Sequence, residues 1–200
     1  MLAFHGCDLS VRDKIINNPK EALIPSDNRY DWLGHGVYFW ENNPKRAMEY
    51  AISLCENPTR SKNKIKKPSV LGAVISLGHC LDFMESASLE ILKAGYQTLK
   101  DASNKSYFND LKNKPAGDEN ELLIRELDCA VIETVCEVQS SEMGNIRPYD
   151  SVRGAFIEGK EVYPNAGFRE KNHIQICVRN PNCVKGYFLP RAPCEGYMVP

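Results

Sequence analysis

Gly34-His35-Gly36-Val37-Tyr38-Phe39-Trp40 places two glycines and a histidine directly before four β-branched or aromatic residues. Glycine permits a tight backbone turn, and Val, Tyr, Phe and Trp suit a pleated, half-buried surface, so turn and strand read as one device. About thirty residues upstream, Leu2-Ala3-Phe4-His5-Gly6 has the character of a short strand stopped by glycine. Between them lie a weakly amphipathic helix over Val11 to Asn17 and a polar stretch from Asn18 to Asp31.

Downstream, Asn42-Asn43-Pro44 is a helix start, with proline tolerated in the first turn, and Ala47, Tyr50, Ala51 and Leu54 recur at helical spacing. Val70 to Leu77 reads as a buried strand, and the periodicity predicts helices over Ser88 to Leu99 and from Glu119 through about Val138. Three short β-branched runs close the chain: Val152 to Ile157, Ile174 to Arg179 and Val184 to Leu189. The expected class is α+β, a mixed and largely antiparallel sheet with flanking helices. No repeat or Pro/Gly linker divides residues 1–200, which read as a single domain.

The 42% hydrophobic and 26% charged fractions are ordinary globular values and exclude disorder and extended coiled coils. No apolar run approaches the ~20 residues of a membrane-spanning helix, and no signal-peptide pattern opens the chain, so a cytoplasmic protein is expected, with no membrane partner. A net charge of −1 neither attracts nor repels nucleic acid as a whole. Basic residues nevertheless cluster at Arg60, Lys62, Lys64, Lys66 and Lys67, and again at Lys100, Lys105, Lys112 and Lys114, runs that usually mark solvated loops. The eight cysteines form no C-x-x-C pair and sit mostly in apolar runs, which predicts buried thiols, no structural zinc and no obligatory disulfide. Cys7, beside His5-Gly6, is the one candidate for a reactive thiol.

Together the two glycine segments have a specific physical use. Glycine lets backbone N–H and C=O groups approach a planar carboxamide, a histidine can hydrogen-bond a ribose hydroxyl, and a tyrosine face can stack on an aromatic ring. In this light the chain resembles the ADP-ribosyltransferases of the poly(ADP-ribose) polymerase and diphtheria-toxin type. The resemblance is carried in order by Phe4-His5-Gly6, Gly34-His35-Gly36-Val37-Tyr38-Phe39, Lys45-Arg46-Ala47-Met48-Glu49-Tyr50 and Gly72-Ala73-Val74-Ile75-Ser76-Leu77-Gly78, and completed by the strands from His173 to Leu189.

The resemblance implies NAD as co-substrate, with no metal. It assigns His5 to the adenosine-side ribose and Gly6 to the nicotinamide amide, places Gly36 in the cofactor cleft, and sets Tyr38 and Tyr50 about the nicotinamide. At the family's catalytic glutamate this chain has Gln175, within His173-Ile174-Gln175-Ile176-Cys177-Val178. An amide can bind a ribose hydroxyl but cannot take a proton, so the acid is sought nearby, and Glu158, at the end of an apolar run and before Gly159, is the choice over Glu161 and Glu170, which lie further into a flexible loop. The implied catalytic set is therefore Glu158, Gln175 and Tyr38.

Gly159 to Asn172 lies where the family keeps its acceptor-recognition loop, and Tyr163, Phe168, Arg169 and Lys171 interleave aromatic faces with cations, a composition suited to an unpaired base. At least one of those two aromatics is expected to anchor the loop to the core, and Trp32 and Trp40 are expected in core packing. The implied activity is transfer of ADP-ribose from NAD to a macromolecular acceptor, RNA or DNA among the candidates, in a bacterial toxin or phage-defence effector with an antitoxin or regulatory protein as partner. A catalytically silent NAD- or ADP-ribose-binding module is the alternative, motivated by Gln175.

Overall fold

A computed structural model describes residues 1–60, 64–116, 121–141, 147–192 and 194–198. In chain order the elements are β1 (Leu2–Asp8), α1 (Leu9–Asn17), β2 (Val37–Glu41), α2 (Pro44–Glu56), β3 (Pro68–Ile75), β4 (Cys80–Asp82), α3 (Ser86–Ala102), α4 (Lys105–Asp110), β5 (Asn113–Lys114), β6 (Ile124–Arg125), α5 (Glu126–Ser141), β7 (Ser151–Phe156), β8 (His173–Val178) and β9 (Val184–Phe188). Seven strands form one sheet in the order β4-β7-β8-β2-β1-β3-β9. Only β4–β7 is parallel, so the class is α+β with a largely antiparallel sheet.

Caps explain where the helices begin. Asp8 accepts the Ser10 N–H, which starts α1 two residues before the apolar spacing does. Asn43 accepts the Arg46 N–H at 3.0 Å and Pro44 occupies the first turn of α2, as the sequence pattern requires. One face of the sheet buries Ala3, Cys7, Phe39, Leu71, Ile176 and Val178 with Ile15 of α1. On the other face Ala47 and Ala51 of α2 lie toward β1 and β3, while α5 supplies Ile132 and Val135 to the cluster holding Leu81, Val152 and Cys177.

Three expectations are corrected, the first being the strand stop at Gly6: β1 runs on to Asp8, paired with β3 throughout. Of the helix expected from Glu119, residues 119 and 120 lie outside the described residues, and α5 begins at Glu126 because Ile124 and Arg125 pair with Lys114 and Asn113. The lysine-rich stretch between 100 and 114 is not all loop: α3 runs on to Ala102, and Asn104 caps α4 by accepting the Tyr107 N–H. β4 was not anticipated, since three residues are too few for a periodic signal and its pairing with β7 is long-range. In the basic run near residue 60, Lys62 lies outside the described residues, whereas the Lys66 and Lys67 N–H groups both donate to Asp8. Among the described residues no helix is long and apolar enough to cross a membrane.

Candidate functional site

The candidate site is set by where the β1–β2 ladder stops. Met1 and Ile75 exchange both backbone hydrogen bonds, and the Leu9 N–H donates to the Lys67 carbonyl at 2.8 Å. Bonded and non-bonded pairs alternate along an antiparallel ladder, so the odd-numbered residues of β1 bond β3 and the even-numbered ones, Gly6 included, turn N–H and C=O toward β2. Yet β1 and β2 pair only at Ala3↔Glu41 and Phe4↔Trp40. At the next even position the Tyr38 carbonyl accepts a hydrogen bond from His5 Nδ1 at 2.7 Å. The Gly6 N–H and C=O therefore point toward β2 without a ladder partner there.

Packing demands glycine there as well. A Cβ on Gly6 would stand 2.1 Å from the Ala47 carbonyl oxygen of α2. His5 is half-buried, and desolvation lowers its pKa, partly offset by the Tyr38 bond, so the ring is neutral with its proton on Nδ1 and a lone pair on Nε2.

Tyr38 is held from its far end. Its hydroxyl donates to the Gly34 carbonyl at 2.6 Å and accepts the Leu33 N–H at 2.8 Å, which locks the glycine turn under the strand it leads into. Burial raises the phenol pKa well above 10, so Tyr38 stays neutral. Gly34 has φ +74°, and its turn is clamped to α5: the Glu133 carboxylate accepts the His35 N–H and both terminal nitrogens of Arg179. Both backbone groups of Gly36 are engaged by Ser26, so this residue shapes the turn and has no free N–H or C=O to offer a ligand.

Register then places the remaining residues. Phe4, Trp40, Gln175 and Gly154 form one row across β1, β2, β8 and β7, and Tyr38 and Cys177 the next row on the same face. His5 projects from the opposite face, against Phe39 at 5.8 Å between ring centroids. The structure thus joins His5 to Tyr38 through a backbone carbonyl, and sets Gln175 beside Trp40. Gln175 is buried, and no described residue hydrogen-bonds its amide. Tyr50, on α2, packs on Trp40 with centroids 4.9 Å apart.

Glu158 follows the end of β7 by two residues, with its side chain only 16% exposed. Its Oε2 accepts from Arg46 Nη2 at 2.9 Å, and His173 Nδ1 and Lys171 Nζ approach the carboxylate at 3.8 and 3.9 Å. His173 donates from Nδ1 to the Lys171 carbonyl, and burial, with Arg46 and Arg125 nearby, pushes its pKa down to about 4. Its ring joins Trp32, Phe156 and Trp40 in an aromatic chain, and the Arg125 guanidinium lies 4.4 Å from the Trp32 ring centroid. Among the described residues, the buried side-chain atoms without a partner are Trp40 Nε1, Arg46 Nε and His173 Nε2, and all belong to this cluster. Beside it opens a groove of about 500 Å³ lined by Asn42, Asn43, Phe156, Asn172 and His173, among others.

Beyond Glu158 the chain forms a ribbon tied by backbone bonds Lys171→Glu158, Glu170→Lys160 and Val162→Phe168, so Glu161 and Glu170 are not in a free loop. Tyr163 and Phe168 are 59% and 68% exposed, and neither anchors the ribbon to the core as expected. Trp40 is in the core as expected, and the Trp32 Nε1–H donates to the Leu123 carbonyl. Burial raises the Cys7 thiol to about 11, which removes the case for a reactive thiolate.

Arg46, His173 and Arg125 were not singled out from sequence. For Arg46 a signal exists: it stands eight residues before Leu54 and beside Ala47, and so borders the stripe of Ala47, Ala51 and Leu54 that α2 buries, where a charge needs a reason. His173 and Arg125 owe their place to partners distant in sequence.

The chain is similar to an uncharacterized protein of Methanocaldococcus jannaschii, 25% identical over 205 residues that span 92% of this chain and 85% of that protein. No family model matches the chain, and no solved structure matches it.

Proposed function

We propose that the gap between β1 and β2 binds the nicotinamide end of NAD, and that the protein transfers ADP-ribose to a macromolecular acceptor, RNA or DNA among the candidates. The observation that carries this reading is the Gly6 backbone, whose N–H and C=O face a gap that β2 has left. A carboxamide offers the complementary acceptor and donor in one plane. The neutral His5 keeps a lone pair on Nε2 for a ribose hydroxyl, while the half-buried ring of Tyr38 and the Trp40–Tyr50 pair border the gap with aromatic faces.

In the reaction the glycosidic C–N bond breaks and its electron pair leaves with nicotinamide. A lone pair of the acceptor forms the new bond at the same ribose carbon, and the proton released passes to Glu158. Gln175, buried in the middle row, is suited to bind a ribose hydroxyl through its amide. Release of nicotinamide from NAD, measured with and without RNA, DNA and protein acceptors, tests the proposal. Acceptor-dependent release supports it, and absence of release with every acceptor class leaves the second reading, a silent NAD- or ADP-ribose-binding module. That second reading is favoured by Gln175 and by the Arg46 contact that occupies Glu158.

A further inference from the structure

We infer that Arg46 is a phosphate-binding residue whose fork is held by Glu158 until a phosphate displaces it. The inference rests on the cleft reading above. Arginine binds a two-oxygen partner side-on through Nε and Nη2, or end-on through its two terminal nitrogens. Both forms are filled elsewhere in this molecule: Arg153 grips Glu41 through Nε at 2.6 Å and Nη2 at 3.1 Å, and Arg179 grips Glu133 through Nη1 and Nη2.

Arg46 differs. Its Nη1 donates to Glu49 at 3.0 Å and its Nη2 to a single Glu158 oxygen at 2.9 Å, while Nε is buried with no acceptor. The side-on fork is half filled, although the side chain is only 10% exposed. A buried donor left unmet is costly, so an arrangement that fills the fork is favoured over this one. A phosphate group presents two oxygens at the spacing that Nε and Nη2 require.

The surroundings fit an anion that arrives and displaces Glu158. Lys171 lies 3.9 Å from Glu158 Oε1, and Arg125, spread over Trp32 and Phe156, contributes its charge to the same carboxylate. A phosphate that takes the Arg46 fork frees Glu158 Oε2, so the base becomes available only when the ligand is in place. The phosphate belongs either to the pyrophosphate of NAD or to the phosphodiester of a nucleic-acid acceptor.

Calorimetric titration with inorganic pyrophosphate, with NAD and with a short single-stranded oligonucleotide, on the wild type, Glu158→Gln, Arg46→Gln and Arg46→Lys, tests this. Removing the competing carboxylate should tighten pyrophosphate binding by about tenfold, as expected for a fork free about a tenth of the time. Arg46→Gln should abolish that binding. Arg46→Lys, which keeps the charge without the fork, should bind more weakly than the wild type. Melting curves verify each fold, and Glu158→Asp, which also withdraws from Nη2, carries the same expectation should Glu158→Gln not fold. The same pattern with NAD assigns the phosphate to the co-substrate, and with the oligonucleotide to the acceptor. Wild type that ignores NAD but keeps the pattern with the other two ligands sinks the NAD reading and leaves this inference standing. Glu158→Gln that binds pyrophosphate no more tightly than the wild type, or Arg46→Gln that binds it unchanged, overturns the inference.

Discussion

The His5 imidazole donates from Nδ1 to the Tyr38 carbonyl oxygen at 2.7 Å, bridging two strands at the point where their ladder has stopped. That bond occupies the carbonyl that would otherwise face the Gly6 N–H, and so keeps the strands apart.

Gly6→Ala is expected to destabilise the fold. The added methyl would lie 2.1 Å from the Ala47 carbonyl oxygen, a backbone atom that cannot swing aside, so α2 must move off β1. The cost should be about 1–3 kcal/mol in urea unfolding, the range for an overpacked contact. Stability equal to the wild type would show that the helix is not seated on this glycine.

Gly6 misled as a strand stop, because β1 stays paired to β3 through it as far as Asp8, whereas the strand after Gly34–Gly36 was legible because turn chemistry and a β-branched run coincide there. The spacing of Ala47, Tyr50, Ala51 and Leu54 revealed α2 for the same reason. Local pattern could not reveal Arg46 against Glu158, two side chains 112 residues apart, or the three-residue β4, whose partner is also distant. Gln175 was placed correctly on a late strand, but its position beside Trp40 depends on register, which no single strand encodes.

Stability should fall as pH drops from about 6.5 toward 4. His173 has a folded pKa of about 4 against an ordinary 6.5, so within that window the unfolded chain takes up a proton that the folded one refuses. The neutral ring's contribution is complete above 6.5 and is lost as pH falls through the folded value, on the order of 3 kcal/mol across the window. His5, also lowered by burial, adds in the same direction. His173→Gln should make urea unfolding measured at pH 6.5 and 5 differ less than in the wild type. An unchanged pH slope would remove His173 from the account.

At lower pH the Glu133 clamp should begin to fail. Burial raises this carboxyl, but Arg179 and the His35 N–H outweigh burial and hold it below its ordinary 4.5. Its contribution is present above 4.5 and is lost as pH falls through the lower folded value. Glu133→Gln should therefore reduce the acid sensitivity that remains below 4.5 and loosen the Gly34 turn, visible as faster amide exchange at His35. Slow exchange there in the variant would contradict the clamp.

Glu158→Gln should reduce ADP-ribose transfer by about 100-fold or more, the usual worth of a general base, without weakening NAD binding. Gln175→Ala should weaken both binding and transfer. Full transfer by Glu158→Gln would place the base on another residue.

The most direct measurement is a calorimetric titration of NAD into the wild type, His5→Ala and Tyr38→Ala, each verified as folded. Saturable binding to the wild type is predicted, weakened in each variant by on the order of 1–3 kcal/mol through loss of a hydrogen bond or an aromatic face. Absence of binding to the wild type, or equal affinity in all three proteins, would contradict the assignment of the β1–β2 gap to NAD.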